Sequence, residues 1–125
     1  MGKINAGGWK PALVDIDRDT EFTGDDVDQY SALVDLGADF SDVLVYIPTI
    51  TSSTVGLALQ KTAEIDEVPV ALYRLDDDAT GNFLDATSAA VTSMYIKFHV
   101  GAAQYLRVKC GSNQAADRTF YVRGC

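Results

Sequence analysis

The sequence predicts an all-β fold: a single antiparallel β-sandwich, jelly-roll-like, with seven to eight strands and an extended N-terminal arm. A closed barrel is the alternative architecture. Three observations carry this. Apolar residues alternate with polar ones at period two in several short runs, as half-buried strands require. Gly, Pro, Asp and Ser clusters punctuate those runs at the short spacing of sandwiches and barrels. No stretch shows a long helical period. Two packed antiparallel sheets are the economical way to bury such strands.

Length and composition fit one soluble domain. The chain has 125 residues, 47% hydrophobic and 22% charged, which suffices for a real core. We divide it into an acidic arm, residues 1–28, and a sandwich domain, residues 29–125. No run approaches the ~20 apolar residues of a membrane span, and the start lacks the apolar centre of a secretion signal. The net charge of −8 is uneven: residues 97–125 carry Lys97, Arg107, Lys109, Arg118 and Arg123 against Asp117 alone. An acidic chain is a poor non-specific partner for nucleic acid. Its basic end and acidic front either attract one another between copies or mix within one fold.

In chain order, residues 1–12 are Gly-rich, with Trp9 as the large anchor. Trp9 docks either on a neighbour or on its own domain, since one buried indole removes much apolar area from water. Seven carboxylates crowd Asp15 to Asp28. Asp15, Asp17 and Asp19 stand at positions 1, 3 and 5 of a calcium loop, but Thr20 replaces the turn glycine and Asp26 the final glutamate. A solvated loop is preferred over an irregular calcium site, so no metal or cofactor is assigned.

Strand signals start at Tyr30–Leu36, and Gly37–Asp42 reads as a turn. Val43, Val45 and Ile47 then share one face, Pro48 ends the run, and Val55, Leu57 and Leu59 share a face of the next. Residues 61–67 read as a loop, Val68–Leu75 as a strand and Asp76–Asn82 as a turn. Residues 83–90 read as a weakly patterned connector, with two options open: a short strand running into Val91, or a helical turn over Thr87–Ser93. Met94, Ile96, Phe98 and Val100 alternate cleanly. Gly101–Gln104 reads as a turn into Tyr105–Cys110, with Leu106, Val108 and Cys110 inward and Tyr105, Arg107 and Lys109 outward. A loop at 111–117 leads to the last strand, with Phe120 and Val122 inward.

Chemistry-bearing patterns are scarce. His99 sits beside Lys97 on a polar strand face, which suits a surface histidine. Neither zinc spacings nor a phosphate loop occur, and Ser52, Ser53, Ser88, Ser93 and Ser112 lack a nucleophile elbow. The acidic trio Asp76–Asp78 fits a turn better than a glycosidase pair. Cys110 reads as a buried thiol and Cys125 as incidental; a bridge between them has no export signal behind it. The sequence therefore predicts no enzyme and no catalytic residue.

Two stretches carry a resemblance. Ile47-Pro-Thr-Ile-Thr-Ser-Ser-Thr-Val-Gly-Leu-Ala-Leu-Gln60 is the first. The second is Gln104-Tyr-Leu-Arg-Val-Lys109, followed by Gln114-Ala-Ala-Asp-Arg-Thr-Phe-Tyr-Val-Arg-Gly124. Together they resemble small β-sandwich structural proteins of tailed-bacteriophage virions over roughly residues 30–124. A polar hairpin that often follows the second strand in that family is replaced here by the acidic Lys61–Val68. The resemblance implies a non-enzymatic particle component located on the virion, either on the capsid surface or in the tail.

The first expectation is a capsid decoration (cement) protein, assembled in the host cytoplasm, that binds the outside of the head and stabilises it through its N-terminal arm and charged faces. Its partners would be the major capsid protein and its own copies, with a trimer suiting capsid local symmetry; nucleic acid and membrane are not expected partners. The interface residues would be Trp9, Arg107, Lys109, Arg118 and Arg123. The alternative is a tail- or fibre-associated receptor- or glycan-binding module with Tyr46, Tyr73, Tyr95 and Tyr105 as stacking platforms. A calcium-dependent hydrolase is a third reading, resting on the acidic loop alone.

Overall fold

A computed structural model describes residues 8–75, 82–84, 86–89 and 93–125. Every regular element among them is a strand: β1 (Lys10–Val14), β2 (Val34–Ile47), β3 (Ser53–Gln60), β4 (Val70–Ala71), β5 (Tyr73–Leu75), β6 (Asn82–Leu84), β7 (Ala86–Ala89), β8 (Met94–Cys110) and β9 (Arg118–Gly124). One antiparallel sheet runs β1-β9-β2-β8-β3-β4, with β7 also paired to β3; β5 and β6 form a separate ribbon. The sheet's end strands, β1 and β4, do not pair with each other, so the sheet is not closed into a barrel.

Alternation decides the core. Val43, Val45 and Ile47 of β2, Val55 and Leu57 of β3, Leu106, Val108 and Cys110 of β8, and Phe120 and Val122 of β9 are all buried in one cluster. Burying an aliphatic or aromatic side chain of this kind is worth about 1.5–3 kcal/mol. Pro48 ends β2 as expected, since it has no N–H to give a ladder.

Two expected turns are bends inside long strands. Gly37–Asp42 and Gly101–Gln104 do not separate strands; β2 and β8 run straight through them. Gly37 and Gly101 have φ of 88° and 82°, and the register between the strands slips on either side of the Phe40↔Ala103 pair. A bulge bends its strand by inserting residues that have no partner opposite. Here both strands are bulged at the same level, so they turn together. The Asp35 carboxylate ties the two bulges. It accepts the Gln104 amide at 3.0 Å and the Gly37 N–H at 2.8 Å. These bonds, the Gln104 one foremost, hold its pKa below the ordinary aspartate value.

The segment expected as an extended arm is, over residues 10–28, part of the domain. Lys10–Val14 pairs residue for residue with Val122–Arg118, and Ala12 and Val14 are fully buried. The acidic stretch after it forms a compact roof. Arg18 grips Asp25 with both guanidinium nitrogens, Phe22 is buried, and its ring meets Tyr30 edge-on at 5.1 Å. A boundary at residue 28 would cut through these contacts.

Elsewhere, residues 61–69 form a loop, two residues longer than the 61–67 expected. The Glu67 carboxylate accepts the Thr62 hydroxyl and the Lys61 and Thr62 N–H groups, which lowers its pKa. The strand expected at 68–75 splits at Leu72, whose N–H donates to the Leu57 carbonyl at 2.9 Å. Of the two options for the 83–93 segment, the strand is the one seen over 86–89, as β7 on β3, and not the helical turn; residues 90–92 lie outside the described residues. The turn expected at 76–82 lies, over 76–81, outside the described residues.

Candidate binding surfaces

The outward face of β1, β9, β2 and the first half of β8 follows from the same alternation. With Val43, Val45, Phe98, Phe120 and Val122 inward, Leu44, Tyr46, Tyr95, Lys97, Tyr121 and Arg123 point out. Register then lines them up. Tyr121, Tyr46 and Tyr95 fall side by side on neighbouring strands, and Arg123, Leu44 and Lys97 form the next row. Asp42 and His99 form the row after that.

Four aromatic rings gather on this face. Tyr46 lies 5.3 Å from Tyr95 and 6.3 Å from Tyr121, and Trp9 lies 6.0 Å from Tyr95, measured between ring centroids. Trp9 precedes β1, which β9 and β2 separate from β8, so its indole reaches across both strands. The Arg123 guanidinium sits 5.9 Å above the indole. The four rings line a shallow cleft of about 350 Å³. Trp9 is 40% exposed, Tyr121 43% and Tyr95 63%. The Tyr46 hydroxyl is fixed by Ser93 Oγ at 3.1 Å. Rings held this way offer flat apolar surface without first losing side-chain freedom.

A second surface lies at the other end of the sheet. Ile65, Val68, Val70 and Tyr73 are each more than half exposed. They flank β4, the short terminal strand, which pairs only with β3 among the described residues. Beside it a groove of about 810 Å³ is lined by Leu59, Gln60, Val70, Tyr73, Ala103 and Tyr105, among others. Natural edge strands are blunted by charge, by proline or by being short. This one is two residues long, Val70 and Ala71, and uncharged, with Asp39, Lys61 and Glu67 also lining the groove beside it.

The expected interface residues separate. Trp9 and Arg123 meet on the aromatic face. Arg107 does not face out: it is wholly buried, a correction to the simple alternation of β8. The roof covers it. Its guanidinium donates to Gln60 Oε1 at 2.9 Å, Glu21 Oε1 at 2.8 Å, the Ile65 carbonyl at 3.1 Å and the Ser31 carbonyl at 3.2 Å, and it lies 4.8 Å over the Phe22 ring. No partner can reach it. Lys109 is half-buried with its ammonium 5.4 Å from the Tyr30 ring. Arg118 donates to Gln114 Oε1 and Thr51 Oγ1. The acidic front and basic back therefore mix, in part, inside one molecule.

Of the four tyrosines expected as platforms, Tyr46 and Tyr95 come together while Tyr73 and Tyr105 line the other groove. Tyr121 and Trp9 complete the cluster, a grouping that only strand register exposes. Asp15, Asp17 and Asp19 are not assembled as ligands: the Asp15 carboxylate caps the Asp17 N–H, and no group of three acidic, His or Cys side chains among the described residues is placed to hold a metal. His99 has a partner the sequence pattern did not supply, since its Nδ1 lies 2.8 Å from Asp42 Oδ1 on an open surface. Cys110 and Cys125 are both free, and burial pushes the Cys110 thiol up to about 11. No helix among the described residues is long and apolar enough to cross a membrane.

Comparison with family models, with curated proteins and with solved structures gave no match. The functional reading therefore rests on the surfaces themselves and on the sequence motifs.

Proposed function

We propose that this chain is a non-enzymatic structural protein of a tailed-phage particle, a decoration protein that docks on the outside of the head. The observation that carries the reading is the open apolar edge formed by Ile65, Val68, Val70 and Tyr73 beside β4. A sheet edge with apolar neighbours is a template for another chain. The major capsid protein and neighbouring copies, with a trimer favoured, are the partners this reading assigns. The attachment device is this edge rather than an N-terminal arm, and Arg107 plays no part in it. We further take the sheet to fold over as a jelly-roll-like sandwich about its paired bulges. One core cluster draws on β1 and β3, near opposite ends of the sheet, and that supports the fold-over.

The test is copy number per particle together with attachment of Val70→Glu. Hundreds of copies, and loss of attachment in the variant with the fold intact, are the expected results. A copy number of a few to tens would instead favour the second reading, a receptor- or glycan-binding module of the tail or fibre. The aromatic face is what favours that alternative.

A further inference from the structure

We propose that the aromatic face binds an acidic saccharide, with a pyranose ring stacked on the Trp9–Tyr46–Tyr95 cluster and its carboxylate held by Arg123. The site is distinct from the docking edge, so it extends the particle-protein reading, and it supplies the ligand class that a receptor-binding role would need. Size comes first. From the exposed fractions of Trp9, Tyr95 and Tyr121, the rings offer on the order of 300 Å² of surface. A stable protein partner needs about 800 Å² from each side. A sugar of one to three residues needs far less. A patch of this scale on a small monomer is commonly functional.

Shape agrees with size. The cleft is open and floored by rings one strand apart, which suits the flat C–H faces of successive pyranoses rather than a knob-shaped side chain. The Tyr46 hydroxyl, which donates to Ser93 Oγ, can still accept a hydrogen bond from a sugar hydroxyl.

Charge then selects among sugars. Arg123 lies directly over Trp9, and Lys97 stands exposed in the same row across Leu44. Two cations beside an aromatic row, on a chain whose net charge is −8, form a local exception to the acidic surface. Asp42, one row further on, is engaged by His99. An anionic ring substituent placed at Arg123 is therefore met by positive charge.

The chain has a single tryptophan, so its fluorescence reports occupancy of the site directly. The experiment titrates the full chain with matched oligosaccharides, one uronate-bearing and one reduced to the neutral sugar at the same carbon. We expect Trp9 emission to change on binding, with the acidic sugar favoured about fivefold, the scale of one exposed ion pair. Arg123→Gln should erase that preference while keeping residual binding. Tyr95→Ala, read by the same Trp9 emission, should weaken both sugars at least tenfold without changing the thermal midpoint. Equal affinity for the two sugars would overturn the assignment of charge. No response from any sugar, with copy number on the particle as expected, would overturn the inference alone. Release of the Tyr95→Ala variant from particles without any sugar response would show the face to be a protein contact and would also overturn it.

Discussion

Replacing Arg107 by leucine tests how the acidic roof is held down. The wild-type guanidinium satisfies Gln60 Oε1 and the Ser31 carbonyl in the interior, and it also reaches Glu21 and the Ile65 carbonyl. Leucine leaves the first two acceptors buried without a donor, at about 1–3 kcal/mol each. Glu21 is 27% exposed at its side chain and can rehydrate, so its share is no more than about 1 kcal/mol. The buried leucine returns about 1.5–3 kcal/mol.

The net loss is about 3 kcal/mol, or a fall of about 10–15 °C in the thermal midpoint for a chain of this size. Arg107→Lys keeps the charge but not the fork, and should lose about half as much. Urea unfolding followed by circular dichroism measures all three proteins. Buried ion pairs can be replaced by apolar residues at no cost. If Arg107→Leu unfolds within 1 kcal/mol of wild type, the roof is held by Phe22 packing and the hydrogen-bond account is wrong.

Further outcomes follow from other sites. With burial raising the Cys110 thiol to about 11, a thiol reagent at pH 8 should label one cysteine, Cys125, in the native chain and two in denaturant. Labelling of both at equal rates would contradict the buried placement. Asp35 and Glu67 have folded pKa values lowered by their hydrogen bonds. The stability they contribute is present above the unfolded values, near pH 4, and is lost as pH falls through the folded ones. Asp35→Asn combined with Glu67→Gln should therefore flatten the acid limb of a pH–stability curve and leave the neutral limb unchanged in shape. Gly101→Ala forces a side chain into positive φ and should cost about 1–2 kcal/mol in urea titrations; a neutral result would mean that the bend relaxes easily.

The strands were legible where alternation is strict and flanking signals are strong. The late half of β2, both halves of β8 and all of β9 could be placed from their own residues. The bends could not, because a positive-φ glycine serves a reversing turn and a bulge equally well, and only the partner strand distinguishes them. Strand β1 was hidden by its shortness: of Lys10–Val14, only Ala12 and Val14 face in. Arg107 was misplaced because period two specifies a face of the sheet and not what covers that face. Phe22, a lone aromatic among seven carboxylates, was the single local hint of a roof. The aromatic face was half-visible, since Tyr46 and Tyr95 alternate outward, but Tyr121 and Trp9 join them through a register that no local pattern encodes.

Among the described residues strand β1 has its ladder with β9 alone, so residues 10–14 depend on residues 118–122 for their sheet pairing. Contacts of such wide sequence separation form late and slow folding. Until that pair closes, Trp9 has no neighbouring strand to anchor it on the aromatic face. Closing the β1–β9 ladder is therefore the step that completes the four-ring cleft.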